Sequence, residues 1–255
     1  RLQETVQQLE SFSYTIAHDL RAPIRSLTSF TQVLFDDFSS ALPEDAVSII
    51  RRLQRASFRL DALTRDLLKF SKIAREEVTL EPVLLDELIE DLVTVTPALQ
   101  TGALTIATPL GAVLAQRTLL QQCISNLFDN SLKFALPGVP ARVVVRTELR
   151  AGMQPAPSTL TTVPFNSPTS SPLRSSRPDL PVRRIWVEDN GRGIPEGAHE
   201  KIFGIFERVS GVEHIEGTGI GLAIVARAAQ QMGGSCGAEP SGPGGSRFWI
   251  DLPAV

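Results

Sequence analysis

The chain reads as α+β: a long helical hairpin, then a domain with helices on one face of a largely antiparallel sheet. Three observations predict this. Apolar residues at helical spacing fill the stretch from about Leu2 to Ile73. Short β-branched and aromatic runs appear only later, at Arg142-Val143-Val144-Val145-Arg146, Arg184-Ile185-Trp186-Val187 and Arg247-Phe248-Trp249-Ile250-Asp251-Leu252. Segments of helical period stand among those runs.

In the first helix Leu9, Phe12, Ile16, Leu20, Leu27, Phe30 and Leu34 recur at three- and four-residue steps. Ser39-Ser40-Ala41-Leu42-Pro43-Glu44-Asp45 supplies a turn and a helix start, with Pro43 suited to a first turn. The second helix carries a seam of Ile49, Leu53, Ala56, Leu60, Leu63, Leu67 and Phe70. Two helices alone cannot bury both stripes. Pairing with a second copy into a four-helix bundle is the economical solution, which predicts a homodimer. Packing of the hairpin on the rest of its own chain is the alternative.

Beyond Thr79 the pattern predicts helices over Leu84 to Leu99, Arg117 to Ala135 and Ala223 to Met232, the last ended by Gly233-Gly234. Gly152 to Pro181 is rich in Pro, Ser and Thr and poor in periodicity, so it reads as a disordered or loosely packed insert without chemistry. The expected domains are residues 1–76 and 77–255, with the insert over 152–181.

Composition is that of an ordinary globular protein: 255 residues, 42% hydrophobic, 21% charged, formal net charge −3. No basic stripe interleaved with aromatics is present, which argues against a nucleic-acid partner. The longest apolar runs fall well short of a membrane span. The chain starts at Arg1 with helical character and reads as a fragment. Cys123 and Cys236 lie far apart without metal-like spacing and are expected as buried free thiols in a reducing compartment.

Four stretches can carry chemistry. His18-Asp19-Leu20-Arg21-Ala22-Pro23 sets an imidazole, a competent nucleophile near neutral pH, beside a carboxylate on an amphipathic helix. In Asn126-Leu127-Phe128-Asp129-Asn130-Ser131-Leu132-Lys133-Phe134, Asn126, Asn130 and Lys133 share one helix face. An amide oxygen there suits hard Mg2+, and the lysine suits polyphosphate; alone, the stripe would be a solvated face. Glu188-Asp189-Asn190-Gly191-Arg192-Gly193-Ile194-Pro195 follows a strand, so its glycines allow close approach of a flat ligand and Asp189 can accept from an exocyclic amine. By itself it is an ordinary turn. Gly217-Thr218-Gly219-Ile220-Gly221-Leu222 places free amides at a helix start, an anion site. No parallel strand leads into it, which excludes a dinucleotide fold.

In this order the array resembles the catalytic core of bacterial-type sensor histidine kinases. The stretch from His18 to Pro23 resembles their phosphoacceptor box, Asn126 to Phe134 the asparagine box, and Asp189 to Gly193 the first glycine box. Lys201-Ile202-Phe203-Gly204-Ile205-Phe206-Glu207-Arg208 resembles the phenylalanine box, and Gly217 to Leu222 the second glycine box. The resemblance covers nearly all the chain except the Pro/Ser/Thr insert. It implies a dimerisation and phosphotransfer hairpin followed by an ATP-binding α/β sandwich of the gyrase, chaperone and histidine-kinase superfamily. Only Ser210 to Glu216 separates the phenylalanine box from Gly217. The implied ATP lid is therefore short, as in the phytochrome-associated kinases.

The resemblance also implies roles. His18 would take the γ-phosphoryl group of ATP, with Asp19 holding its tautomer, and would pass it to an aspartate of a response-regulator receiver domain. Asn130 would be the Mg2+ ligand, and Lys133 would meet the phosphates. Asp189 would meet the adenine amino group. Asn126, Gly191, Gly193, Phe206, Arg208, Gly217, Thr218, Gly219 and Gly221 would complete the nucleotide site. Asn126 stands where hydrolysing relatives carry glutamate, and an amide cannot act as that base, so transfer to His18 is expected over hydrolysis. That disfavours a mechanical ATPase of the chaperone or topoisomerase type. The presence of every motif residue disfavours a non-catalytic scaffold. Ala22 lacks the hydrogen-bonding group that many relatives place four residues after the histidine, which implies weak phosphatase activity. Pro23 is expected to bend or loosen the helix beside His18 and so to control its access. Leu2, Val6 and Leu9 suggest a helix running in from an upstream sensory domain. This portion is expected in the cytoplasm, whether the whole protein is soluble or membrane-anchored.

Overall fold

The computed structural model describes residues 2–73, 77–100, 103–150, 181–209, 215, 217–241 and 244–255. Helix α1 (Leu2–Phe38) and helix α2 (Glu44–Ile73) form the hairpin, joined through a single 3-10 turn at Ser39–Ala41. Pro43 directly precedes α2 and its carbonyl accepts the Val47 N–H at 3.1 Å. Glu44 and Asp45 in the first turn complement the helix dipole. Helix α1 continues through Pro23 without a break. Pro23 cannot donate a ladder bond to the Asp19 carbonyl, yet it does not end the helix.

The faces that meet inside the hairpin are unlike the predicted seam. Ala17, Ile24 and Thr31 of α1 and Ile50, Ser57, Thr64 and Ser71 of α2 are buried, each set repeating every seven residues. Thr31, Ser57 and Thr64 satisfy their hydroxyls on carbonyls of their own helix at 2.9 Å, from Leu27, Leu53 and Asp61. Mostly small or β-branched residues thus bring the helices together, and many of the large apolar side chains turn outward. Leu20, Leu27, Phe30 and Leu34 on α1 and Ile49, Leu53 and Leu60 on α2 are exposed, Phe30 to 67%. Farther along the seam, Leu63, Leu67 and Phe70 pack instead into the core of the following unit. The stripe that the sequence shows as continuous is split. One half is open, and the other is covered by the same chain.

That unit holds helices α3 (Leu85–Val95), α4 (Pro97–Gln100), α5 (Arg117–Lys133) and α6 (Gly221–Gln231). Its strands are β1 (Glu81–Leu84), β2 (Leu104–Ile106), β3 (Ala112–Ala115), β4 (Val143–Arg150), β5 (Val182–Asp189), β6 (Ser235–Pro240) and β7 (Ser246–Pro253). The main sheet has the order β2-β4-β5-β7-β6, with β2 parallel to β4 and the other pairs antiparallel; β1 and β3 form a separate antiparallel ribbon. Val143, Val145, Ile185, Val187, Phe248, Ile250 and Leu252 alternate onto one face and meet α3, α5 and α6 in one core. The opposite face is a layer of stacked charge. Trp186 pairs with Trp249, and Arg184 lies 3.8 Å from the Trp249 ring centroid while gripping Asp251 through two 2.6 Å hydrogen bonds.

The predicted helix over Leu84 to Leu99 is two helices, because Pro97 excludes helical backbone before it and then begins α4. Strands β1, β2, β3 and β6 lie outside the predicted elements. The first three have only three or four residues, and β6 reads Ser-Cys-Gly-Ala-Glu-Pro, a sequence of weak strand propensity. The predicted insert over 152–181 falls outside the described residues except for Pro181. Cys123 and Cys236 are free thiols, with Cys123 buried, and burial pushes the Cys236 thiol up to about 12. The end of α6 follows the expected pattern. Gly233 has φ of +76°, and the Gly234 N–H returns to Ala229 O at 2.8 Å. A Cβ at Gly234 would strike the Asp251 carbonyl. Gly234→Ala is therefore expected to cost about 1–3 kcal/mol by overpacking, read as a lowered thermal midpoint.

Candidate active site

The end of α5, the end of β5 and the start of α6 converge on a cavity of about 410 Å3. Backbone contacts hold them together. The Phe134 carbonyl, just past α5, accepts the Arg192 N–H at 3.1 Å. Asn190 clamps the same turn, accepting the Arg142 N–H at 2.8 Å and donating to Pro140 O at 3.0 Å. Asn190 therefore works on the loop itself.

Asn126, Asn130, Lys133, Asp189, Gly193, Arg208, Gly217, Thr218, Gly219 and Gly221 all line this cavity. Gly191 and Phe206 do not. A Cβ at Gly191 would lie 2.7 Å from the Phe134 carbonyl, so this glycine allows the turn to close. Phe206 is 58% exposed, with φ of +65°. Left-handed backbone is uncommon for an aromatic residue. Its N–H donates to Gly219 O at 2.9 Å, which ties the turn after the 3-10 segment Lys201–Phe203 to the glycine loop.

Asp189 is 8% exposed at the inner end. Its Oδ1 accepts the Gly191 N–H at 2.9 Å and the Ser246 N–H at 3.2 Å. Both bonds fall on one oxygen, leaving Oδ2 for a donor in the cavity. Burial raises the carboxyl above its ordinary range, and the two N–H bonds draw it back down. Phe248, Ile194, Ile202 and Leu222 provide apolar lining.

The outer end is polar. Lys133 Nζ occupies the place that a Cβ on Gly217 would need, so the loop backbone lies directly against the ammonium group. Arg208 Nη2 donates to Ile215 O at 2.6 Å. Among the described residues, Asn126 Nδ2 is buried without a hydrogen-bond partner. Asp129, which the sequence reading gave no role, also lines the cavity; burial raises its carboxyl, opposed by Lys133 and by Lys69 of α2. Among the described residues no group of three or more His, Cys, Asp or Glu could hold a metal. The donor set fits a hard cation carried mainly by phosphate oxygens and water, with one amide oxygen from Asn130.

The hairpin adds two residues. Ala62 and Asp66 of α2 line the cavity, and Asp66 Oδ2 accepts the Thr218 hydroxyl at 2.8 Å. No sequence signal marks them, because they come from a helix more than 50 residues from any nucleotide motif. Arg192, Ile194, Ile202, Glu207 and Leu222 belong to the quoted motifs, and their helix, strand or turn context could have nominated them. His18 and Asp19 both fall within α1; Asp19 is exposed, and the side chain of His18 is outside the described residues. The segment from Ser210 to Glu216, expected from the resemblance to be a short lid, also lies outside them, except Ile215. Among the described residues no helix is long and apolar enough to cross a membrane.

Comparison with known proteins gives a consistent family. Residues 8–76 match the His Kinase A (phospho-acceptor) domain, and residues 115–255 match the histidine kinase-, DNA gyrase B- and HSP90-like ATPase family. Cyanobacterial phytochrome B of Nostoc sp. is 26% identical over 261 residues, covering all of this chain and 30% of the relative. The methanogenesis regulatory histidine kinase FilI of Methanothrix harundinacea is 28% identical, covering 96% of this chain and 25% of the relative. The chain thus spans less than a third of these curated relatives. Full-length ShkA, solved in complex with AMPPNP, has the same fold with a TM-score of 0.58 at 23% identity, covering 95% of this chain and 45% of that one.

Proposed function

Because the chain belongs to the histidine kinase family, with a phosphoacceptor hairpin and an ATPase-type domain in one polypeptide, we propose that it phosphorylates itself on His18 from ATP. The phosphoryl group then passes to an aspartate of a response-regulator receiver domain. The observation that carries this reading is the cavity where Asp189, Asn126, Asn130, Lys133 and the Gly217–Gly221 loop meet. The relative solved with AMPPNP supports it by analogy. We place residues 1–76 in the phosphotransfer hairpin and 77–255 in the catalytic domain, with 152–181 as an insert.

A ring nitrogen of His18 forms the new N–P bond, the bond from the γ-phosphorus to the bridging oxygen breaks, and ADP departs. Such a transfer depends on alignment and charge neutralisation. Mg2+ would neutralise phosphate charge, with Asn130 as its protein ligand. Asp189 Oδ2 takes the adenine amine, the apolar wall takes the ring, and Lys133 with the loop amides takes the phosphates. Asn126 supplies its unpaired Nδ2 as a donor and, being an amide, no general base for water. Asp19 orients the His18 imidazole. Gly193 and Gly191 shape the turn under the base, while Phe206, Arg208 and Gly219 anchor the loop.

Three partners follow. A second copy covers the exposed stripe of Leu20, Leu27, Phe30, Leu34, Ile49, Leu53 and Leu60, giving a four-helix bundle. A receiver domain accepts the phosphoryl group, and a sensory domain upstream sets the rate. The direct test is incubation with γ-labelled ATP and Mg2+. The label on the chain is expected to be acid-labile and alkali-stable, the stability of a phosphohistidine. Acid-stable label, or none, would refute the reading.

Ala22 is exposed one turn beyond His18 and carries no hydrogen-bonding side chain. The chain is accordingly expected to stimulate dephosphorylation of its receiver partner weakly or not at all. Ala22→Thr is expected to raise that stimulation severalfold, measured as the loss of label from a pre-phosphorylated receiver.

A further inference from the structure

One wall of the nucleotide cavity comes from outside the α/β unit. Ala62 and Asp66 stand one turn apart on α2 and both face the cavity. The Thr218 hydroxyl donates to Asp66 at 2.8 Å and accepts the Ile220 N–H at 3.3 Å, so its one proton is committed to the carboxylate. Thr218 follows Gly217, which lies against Lys133, so this contact is at the phosphate end of the site. Lys69 lies 3.6 Å from the other Asp66 oxygen, but its side chain is 59% exposed, so water screens much of that pairing. Below it, Phe70 and Ile73 are buried in the shared core and hold this part of α2 in place.

We propose that Asp66 is a positioning residue that reads the charge at the end of the bound nucleotide, holding Thr218 beside a diphosphate and opposing a triphosphate. This inference rests on the reading of the cavity as an ATP site. The third phosphoryl group is the part of ATP that brings new negative charge to the outer end, where Asp66 sits. Lys133, Arg192 and Arg208 attract both nucleotides; Asp66 is the carboxylate already bonded to the loop that must receive the extra group. Coupling is reciprocal. A triphosphate that weakens the Asp66–Thr218 bond also loosens the hold of α2 on the glycine loop, and release of ATP restores it.

The test is equilibrium binding of ADP and of a non-hydrolysable ATP analogue, with Mg2+, to the whole chain and to its Asp66→Asn and Asp66→Ala variants. Asparagine keeps an oxygen for Thr218 and removes only the charge. Both variants are expected to favour the triphosphate, lowering the ratio of its Kd to that of ADP about fivefold, the size of one screened like-charge contact. ADP affinity of Asp66→Asn, which keeps an oxygen for Thr218, is expected to change less than its triphosphate affinity, and an unchanged thermal midpoint verifies folding of both variants. An unchanged ratio, or equal shifts for both nucleotides, overturns the inference. So does triphosphate binding that weakens in Mg2+ but not in EDTA, which would assign Asp66 to the metal. Failure of the unaltered chain to bind either nucleotide would instead overturn the site reading beneath it.

Discussion

His18→Gln is expected to abolish incorporation of label from γ-labelled ATP while leaving nucleotide affinity within about twofold. Glutamine is close in size and polarity to histidine, and it sits comfortably in a helix. Its amide nitrogen, however, has no available lone pair, because that pair is delocalised into the carbonyl. The variant therefore removes the nucleophile and little else. The nucleotide cavity draws its hairpin wall from Ala62 and Asp66 on α2, so a change on α1 does not touch that lining. Gel autoradiography under alkaline conditions reads the first outcome, and displacement of a fluorescent nucleotide reads the second. Label persisting in the variant would move the acceptor elsewhere on the chain.

Asp189→Asn is expected to weaken nucleotide binding by about 10- to 100-fold, the range set by losing one hydrogen bond to a charged acceptor. Shape is preserved, and the asparagine oxygen can still receive the Gly191 and Ser246 N–H groups at Oδ1. The amide nitrogen then occupies the Oδ2 position and meets an amine that also donates. Two donors face each other where one acceptor stood. The same carboxylate gives a pH signature. Its ionised form accepts the amine, and burial raises its pKa. Affinity should thus be full at neutral pH and fall on acidification, beginning above the range of an ordinary aspartate, near 3.9. The Asn variant should lack that limb. Isothermal titration from neutral pH down into the ordinary aspartate range separates the two.

The architecture was legible wherever one residue pattern decided the local structure. The hairpin, α5, α6 and the three longer strands follow from periodicity, and Gly233 ends α6 as its freedom at positive φ predicts. Strands β1, β2 and β3 were not legible, because three or four residues such as Leu104–Ile106 carry no period of their own and are strands only by pairing. Arg184 and Trp186 announced a strand but not that they would be buried on its outer face, since that depends on Asp251 and Trp249 in β7. The site divides in the same way. Asn126, Lys133, Asp189 and Gly217 could be nominated because each stands in a motif whose chemistry is local. Asp66 and Ala62 could not, because their place follows from how α2 lies against α6, a tertiary fact. The apolar seam of α2 was visible, but its division into an open half and a covered half was not. Both halves show the same spacing, and only the partner differs.

Phe70 and Ile73 close α2 inside the core built by α3, α5 and α6, while Ile50, Ser57 and Thr64 of the same helix are buried against α1. One rigid segment is therefore a structural member of both units. Melting the lower turns of α2 exposes apolar surface in each, so the hairpin and the sandwich cannot lose their order independently. Their stabilities form a common reserve: a substitution that weakens the sandwich also lowers the temperature to which the phosphoacceptor helix keeps its shape.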